Sequence, residues 1–151
     1  MLIKVDTYIA RAIDLAVEAS NNNEFPVGAI LIKDEEIIGE GMNLKETLKD
    51  PTAHAEVMAI RQACQKIGDW RLNGSTLMTT LEPCPMCLGT ILQARVTEII
   101  YLAKDLRWGA CGSVMDFSNN SELNHRCKLT YLPNDEVVQL MKTFFKDQKK
   151  R

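Results

Sequence analysis

Cys84 and Cys87, three apart in Pro83-Cys84-Pro85-Met86-Cys87, are half of a metal site. A strand-like run, 76–80, precedes them and an apolar run, 88–94, follows, which reads as strand, tight turn and helix. With Cys84 as the helix cap, Pro85 falls at the first helical position, where its missing N–H costs nothing. The helix dipole there favours thiolate over thiol. The sequence has two histidines, and one of them, His54, opens a second helical pattern in Ala53-His54-Ala55-Glu56. His54, Cys84 and Cys87 are ligand types that suit Zn²⁺, and three protein ligands leave a fourth position for water, as in catalytic zinc sites. A metal in that position lowers the pKa of its water toward neutrality. Glu56, two residues from His54, points away from the ligand face of a regular helix. At a helix start it still reaches the metal's water as a proton carrier.

These residues need elements to hold them. Apolar residues at Ile9, Ala12, Ile13, Ala16 and Val17 predict a helix over 6–20 capped by Asp6. Strands are predicted over 26–32 and 37–42, then a polar loop over 43–51. Thr52 is the expected cap of a helix over 53–67, with Val57, Ile60 and Cys64 on its buried face. Strands follow over 76–80, 96–102 and 128–131, with a loop without clear period over 104–124, long enough to suggest function. Asn134 caps a last helix whose Val137, Leu140, Met141 and Phe144 share one face. Strands alternating with helices imply one α/β layered domain spanning 1–151.

Composition narrows the class. With 151 residues, 46% hydrophobic and 25% charged, the chain is an ordinary globular one, and no apolar run is long enough to span a membrane. An odd count of 5 cysteines at irregular spacing argues against a disulfide framework, and nothing at the start resembles a signal peptide, so a reducing cytoplasm is expected. The net charge of −2 alone argues against a nucleic-acid binder. Its distribution does not: residues 1–75 carry 8 basic and 12 acidic side chains, residues 76–151 carry 10 and 8. Lys142, Lys146, Lys149, Lys150 and Arg151 concentrate positive charge at the end of the chain, by itself the pattern of a solvated helix face and a frayed end, and available to phosphates where the partner is RNA.

His54-x-Glu56 followed by Pro83-Cys84-x-x-Cys87 matches the H-x-E…P-C-x-x-C signature of zinc-dependent nucleobase deaminases. Within that superfamily the chain most resembles the bacterial tRNA-specific adenosine deaminases. The likeness rests on Pro26-Val27-Gly28-Ala29, Asp50-Pro51-Thr52-Ala53-His54-Ala55-Glu56, Thr80-Leu81-Glu82-Pro83-Cys84, the 109–116 segment, Asn124-His125-Arg126 and Phe144-Phe145-Lys146. The resemblance implies a cytidine-deaminase-like three-layer α-β-α domain with a five-stranded mixed sheet, one Zn²⁺ per subunit and a homodimer. It implies hydrolysis of adenosine to inosine at wobble position 34 of a tRNA anticodon stem-loop, of an arginine tRNA. It assigns zinc to His54, Cys84 and Cys87 and proton transfer to Glu56. Asn43 matches the amide that hydrogen-bonds the base. Ala55, Pro83, Asp105, Arg107, Asn124, Phe145 and Lys146 fall at substrate-contacting positions. The chain departs from the pattern at Lys45, where the family often has proline, and at Arg107-Trp108, which replace a more usual small polar pair.

Three other readings compete. A deaminase of a free base or nucleoside, of guanine or cytidine type, shares the zinc signature. A thiol redox protein would place its CxxC at the same strand–helix junction but leaves His54-x-Glu56 without a use. A structural zinc module needs a fourth ligand from Cys64, Cys111, Cys127 or His125; Cys64, Cys111 and Cys127 read instead as small buried hydrophobes.

Overall fold

The computed structural model describes residues 2–149, with the side chains of Leu2, Ile3, Gln148 and Lys149 left aside; Lys150 and Arg151 of the predicted basic tail lie outside the described residues. The element order is α1 (Leu2–Asn21), β1 (Gly28–Lys33), β2 (Glu36–Met42), α2 (Lys45–Leu48), α3 (Ala55–Ile67), β3 (Thr76–Thr79), α4 (Pro85–Gln93), β4 (Glu98–Tyr101), β5 (Lys128–Tyr131) and α5 (Asp135–Lys149). The five strands form one sheet in the order β2-β1-β3-β4-β5. β1 is antiparallel to both β2 and β3, while β3, β4 and β5 run parallel, so the sheet is mixed as expected.

The pleat sorts side chains between two helical layers. Ile30 of β1 and Met78 of β3 cluster with Ala12 and Leu15 of α1. Their neighbours Ala29, Leu31 and Leu77, with Ile99 of β4, belong to the larger cluster that holds Ala55, Ala59 and Ile60 of α3 and Leu88 and Ile91 of α4. α3 and α4 pack against each other on that face, and α1 contacts α5. Because β3 and β4 are parallel, the chain must cross over between them, and α4 is that crossover. It therefore starts at the C-terminal edge of β3. No helix among the described residues is long and apolar enough to cross a membrane.

Several expected boundaries move. α1 begins at Leu2, so Asp6 lies inside it rather than capping it. The early turns are tied down by Lys4 to Glu35 (2.7 Å) and by the Tyr8 hydroxyl donating to the Glu35 carbonyl (2.6 Å). Leu15 and Ala19 are buried where Val17 was expected; Val17 faces out. Thr52 does not cap α3: its N–H and hydroxyl both donate to Asp50 Oδ1, and the helix starts after His54 instead. Cys64 is half-buried rather than core, its Sγ 3.7 Å from the Trp70 carbonyl oxygen. The 43–51 segment contains the short helix α2. Asn134 caps α5 as expected, its Oδ1 accepting the Val137 N–H at 3.1 Å.

Candidate metal centre and catalytic cavity

Two helix starts meet. His54 is the N-cap of α3 and Cys84 the N-cap of α4, both with extended backbone and neither using its side chain to cap its own helix. The ring and the thiol are therefore left for other work. Cys87, one turn into α4, is fully buried. His54 Nδ1 stands 3.4 Å from Cys87 Sγ and 3.6 Å from Cys84 Sγ. Tetrahedral zinc with bonds of about 2.0–2.1 Å to nitrogen and about 2.3 Å to sulfur requires ligand atoms about 3.6 Å apart. His54 Nδ1 thus already stands from both sulfurs at about the separation a zinc ion sets, and all three donor atoms lie within 4.8 Å of one another. Among the described residues no fourth His, Cys, Asp or Glu joins the cluster, which excludes the four-ligand structural reading there. His125 is occupied elsewhere, its Nε2 2.7 Å from the Val96 carbonyl oxygen.

The electrostatics fit a cation too. Hydrogen bonding with Cys87 pulls the Cys84 thiol down to about 4, the helix start and His54 assisting against burial. Cys87 is pushed far up, because it shares its proton with Cys84 and is buried beside that charge and Glu56. His54 is raised by its contact with Cys84. With no metal, only one of the two sulfurs ionises readily; a divalent ion lets both do so.

Glu56 lies inside the first turn of α3 and is buried, not the solvated residue its type suggests alone. Burial is the main cause that pushes its carboxyl up to about 7, with the Cys84 charge adding to it. It lines a cavity of about 420 Å³ with His54, Cys84, Asn43, Ala55 and Asp105. Asn43 is 7% exposed, and its amide is already oriented: Nδ2 donates to the Phe25 carbonyl (3.4 Å) and Oδ1 accepts the Lys45 N–H (3.1 Å). One N–H and one lone pair remain for a guest.

Of the other expected contact residues, Pro83 is buried immediately before Cys84, and its carbonyl accepts the Ala110 N–H. Arg107 is exposed on the rim with its guanidinium 5.8 Å from the Phe145 ring centre. Phe145 lines a second cavity, of about 470 Å³, with Phe144, Phe25, Asn43 and Lys45. Lys146 is exposed on α5, and Asn124 is exposed and lines neither cavity. Sequence reasoning gave no site role to Phe25, Val27, Leu81, Glu82 or Met86, which complete the first cavity with Lys45, Pro85 and Trp108. Val27, Leu81 and Glu82 had a signal, their place in stretches that carry the family likeness; Phe25 had none.

The profile of the cytidine and deoxycytidylate deaminase zinc-binding region matches residues 3–103. The chain is 41% identical over 139 residues to the tRNA-specific adenosine deaminase of Aquifex aeolicus, covering 92% of each. It superposes on a solved structure from a study of A-to-I editing by tRNA:A34 deaminases with a TM-score of 0.86 and 34% identity, covering 89% of this chain and 99% of that one. Guanine deaminase from Bacillus subtilis matches at 35% identity with a TM-score of 0.65, over 93% of both chains.

Proposed function

Because the chain belongs to the cytidine and deoxycytidylate deaminase zinc-binding family, we propose that it hydrolyses adenosine to inosine at the wobble position of a tRNA anticodon. The likeness to a tRNA-specific adenosine deaminase over 92% of both chains carries this reading. The guanine deaminase, similar in identity, superposes less well, 0.65 against 0.86. As a member of the family the chain is a zinc-dependent hydrolase. The finer assignments are an arginine tRNA as substrate, a homodimer as assembly and the cytoplasm as compartment.

His54, Cys84 and Cys87 would hold the zinc ion, which when bound would supply a Lewis acid able to make a water nucleophilic near neutral pH. The residues of the chain do the rest. Glu56, shielded from bulk solvent, would take a proton from the attacking water, give it to N1 of adenine as the water's oxygen adds to C6, and pass the water's second proton to the departing amine. The balance is one water consumed and one ammonia released. Asn43 presents its free N–H and lone pair to the base edge, while Ala55 and Pro83 close the wall beside it. Asp105 and Arg107 are assigned to the mouth of the cavity, and Phe145, Lys146 and Asn124 to the flanking RNA. Taking the base out of its stack costs least in a single-stranded loop, which suits an anticodon.

The test compares ammonia release from an anticodon stem-loop of an arginine tRNA, from free adenosine and from guanine, with inosine in the stem-loop identified by mass. Turnover of the stem-loop alone supports the reading; faster release of ammonia from guanine or a free nucleoside overturns it.

A further inference from the structure

Glu82 is a buried carboxylate, 1% exposed, and no lysine or arginine pairs with it among the described residues. Its charge is instead met by donors from one distant loop. Oε1 accepts the Asp105 N–H (3.1 Å) and the Ser113 hydroxyl; Oε2 accepts the N–H groups of Cys111 (2.9 Å) and Ser113 (3.1 Å). The loop comes so close that a Cβ on Gly109 would stand 2.5 Å from the carboxyl group. The network then runs outward. Asp105, fixed by Glu82, accepts the N–H groups of Arg107 (2.9 Å) and Trp108 (3.1 Å) on its Oδ1, and its carbonyl accepts that of Gly109 (2.9 Å). Asp105 and Trp108 form one wall of the catalytic cavity, and Arg107 reaches from the same turn to Phe145 of α5.

From this network we infer that Glu82 is a positioning residue: its buried negative charge folds the 105–113 loop into the wall against which the substrate nucleotide is placed. The inference rests on the proposed RNA substrate for its kinetic half only. All four acceptor sites in use are consumed by the loop, so Glu82 itself has nothing to offer the base. Its neighbour Pro83 leads straight into the ligand Cys84, which makes the loop and the metal turn one connected unit. A buried carboxylate satisfied by neutral donors holds them by charge-assisted hydrogen bonds, stronger than neutral ones.

Glu82→Gln keeps the shape and removes the charge. The amide oxygen serves the Cys111 and Ser113 N–H groups, and the Ser113 hydroxyl turns to accept from the new NH₂. The Asp105 N–H then faces a donor and loses its acceptor. The experiment uses zinc-loaded protein and hydrogen exchange across 104–113, with Trp108 emission followed in a Trp70→Phe background, where Trp108 is the only tryptophan. Expected are zinc content unchanged, loss of amide protection at Asp105, and faster Trp108 motion. For the stem-loop, KM rises about tenfold or more, the loss of a hydrogen bond to a charged group, with kcat within about threefold. If Glu82→Gln does not fold, Ser113→Ala removes one donor and leaves the carboxylate, and the same changes are expected at smaller size. Unchanged exchange in the variant that folds overturns the inference; so does lost protection with unchanged KM. A wild type inactive on the stem-loop overturns the functional reading instead, and exchange still decides whether Glu82 holds the wall.

Discussion

Gly41 lets α3 approach the sheet, and substituting it should move the metal site as a unit. An added Cβ there would stand 2.2 Å from the Ala55 carbonyl oxygen, 2.5 Å from the Ala59 nitrogen and 2.9 Å from Met58 Cβ. Two of these atoms are backbone, so no side chain can swing aside. To bring the first contact from 2.2 Å to the 3.0 Å that Cβ atoms tolerate, the start of α3 must retreat by about 0.8 Å. Overpacking of this kind costs about 1–3 kcal/mol of stability. The chemical cost is larger, because His54 and Glu56 ride on that turn. The His54 Nδ1–Cys87 Sγ separation is 3.4 Å, already close to what zinc sets, and a displacement near 1 Å in a catalytic geometry costs about 10²-fold. Gly39 is the control: its Cβ would stand 2.3 Å from the Ala59 carbonyl oxygen and 2.9 Å from the Ala63 nitrogen, one helical turn farther from His54. Gly39→Ala and Gly41→Ala should lose similar stability in urea unfolding. Only Gly41→Ala should lose zinc affinity in chelator competition and most of its turnover. If the two variants bind zinc and turn over alike, the coupling of this packing contact to the site is wrong.

Glu56→Ala should keep fold and zinc yet lose at least ~10²–10⁴-fold in turnover, the usual contribution of a general acid–base group, as inosine formation under saturating RNA will show. Truncation after Phe145 removes Lys146 and the basic end but keeps the apolar face of α5. It should weaken RNA binding and flatten its salt dependence by up to ~0.7 log units per lost single-strand contact, read from affinities at two salt concentrations. Cys127, which burial pushes up to about 12, and Cys111, which burial likewise raises, should stay unlabelled by iodoacetamide at pH 8 in the folded protein, because a raised thiol pKa leaves almost no thiolate below it; mass spectrometry of the digested protein checks this.

What could be read from the sequence was local. Cys84 as cap with Pro85 at the first helical position is a short-range pattern, and the structure reproduces it residue by residue. His54 is a different case: its helix was expected to start two residues earlier, because Thr52 is a good cap in isolation. Asp50 captures both Thr52 donors, and this is what leaves His54 as the cap with its ring free. Glu24 and Glu82 were the least visible. A carboxylate is ordinarily exposed, and its burial depends on donors far along the chain. Glu24 receives the N–H groups of Glu46 and Thr47 and the Thr47 hydroxyl, and thereby caps α2, a helix that no local signal announced.

Glu24 and Glu82 make parallel use of one device. Burial works against the charge of Glu24, yet the donors of α2 hold its carboxyl below the ordinary range, so it stays ionised where it is needed. The segment it fixes carries Lys45 and borders Asn43, one wall of the catalytic cavity; the loop Glu82 fixes carries Asp105 and Trp108, the wall opposite in sequence origin. The metal cluster stands on helix starts at the sheet edge, whereas of the two segments beside it one is the short helix α2 with its flanking turns and the other is the irregular 105–113 loop. Irregular backbone has no ladder to satisfy its N–H groups. A buried carboxylate supplies several acceptors at one point and makes such a loop as definite as a helix turn. The metal ligands are thus held by helices on the sheet, while two buried carboxylates hold the segments that line the cavity on either side of them. Changes at Lys45 or Arg107-Trp108 can then retune the mouth of the cavity without disturbing His54, Cys84, Cys87 or Glu56.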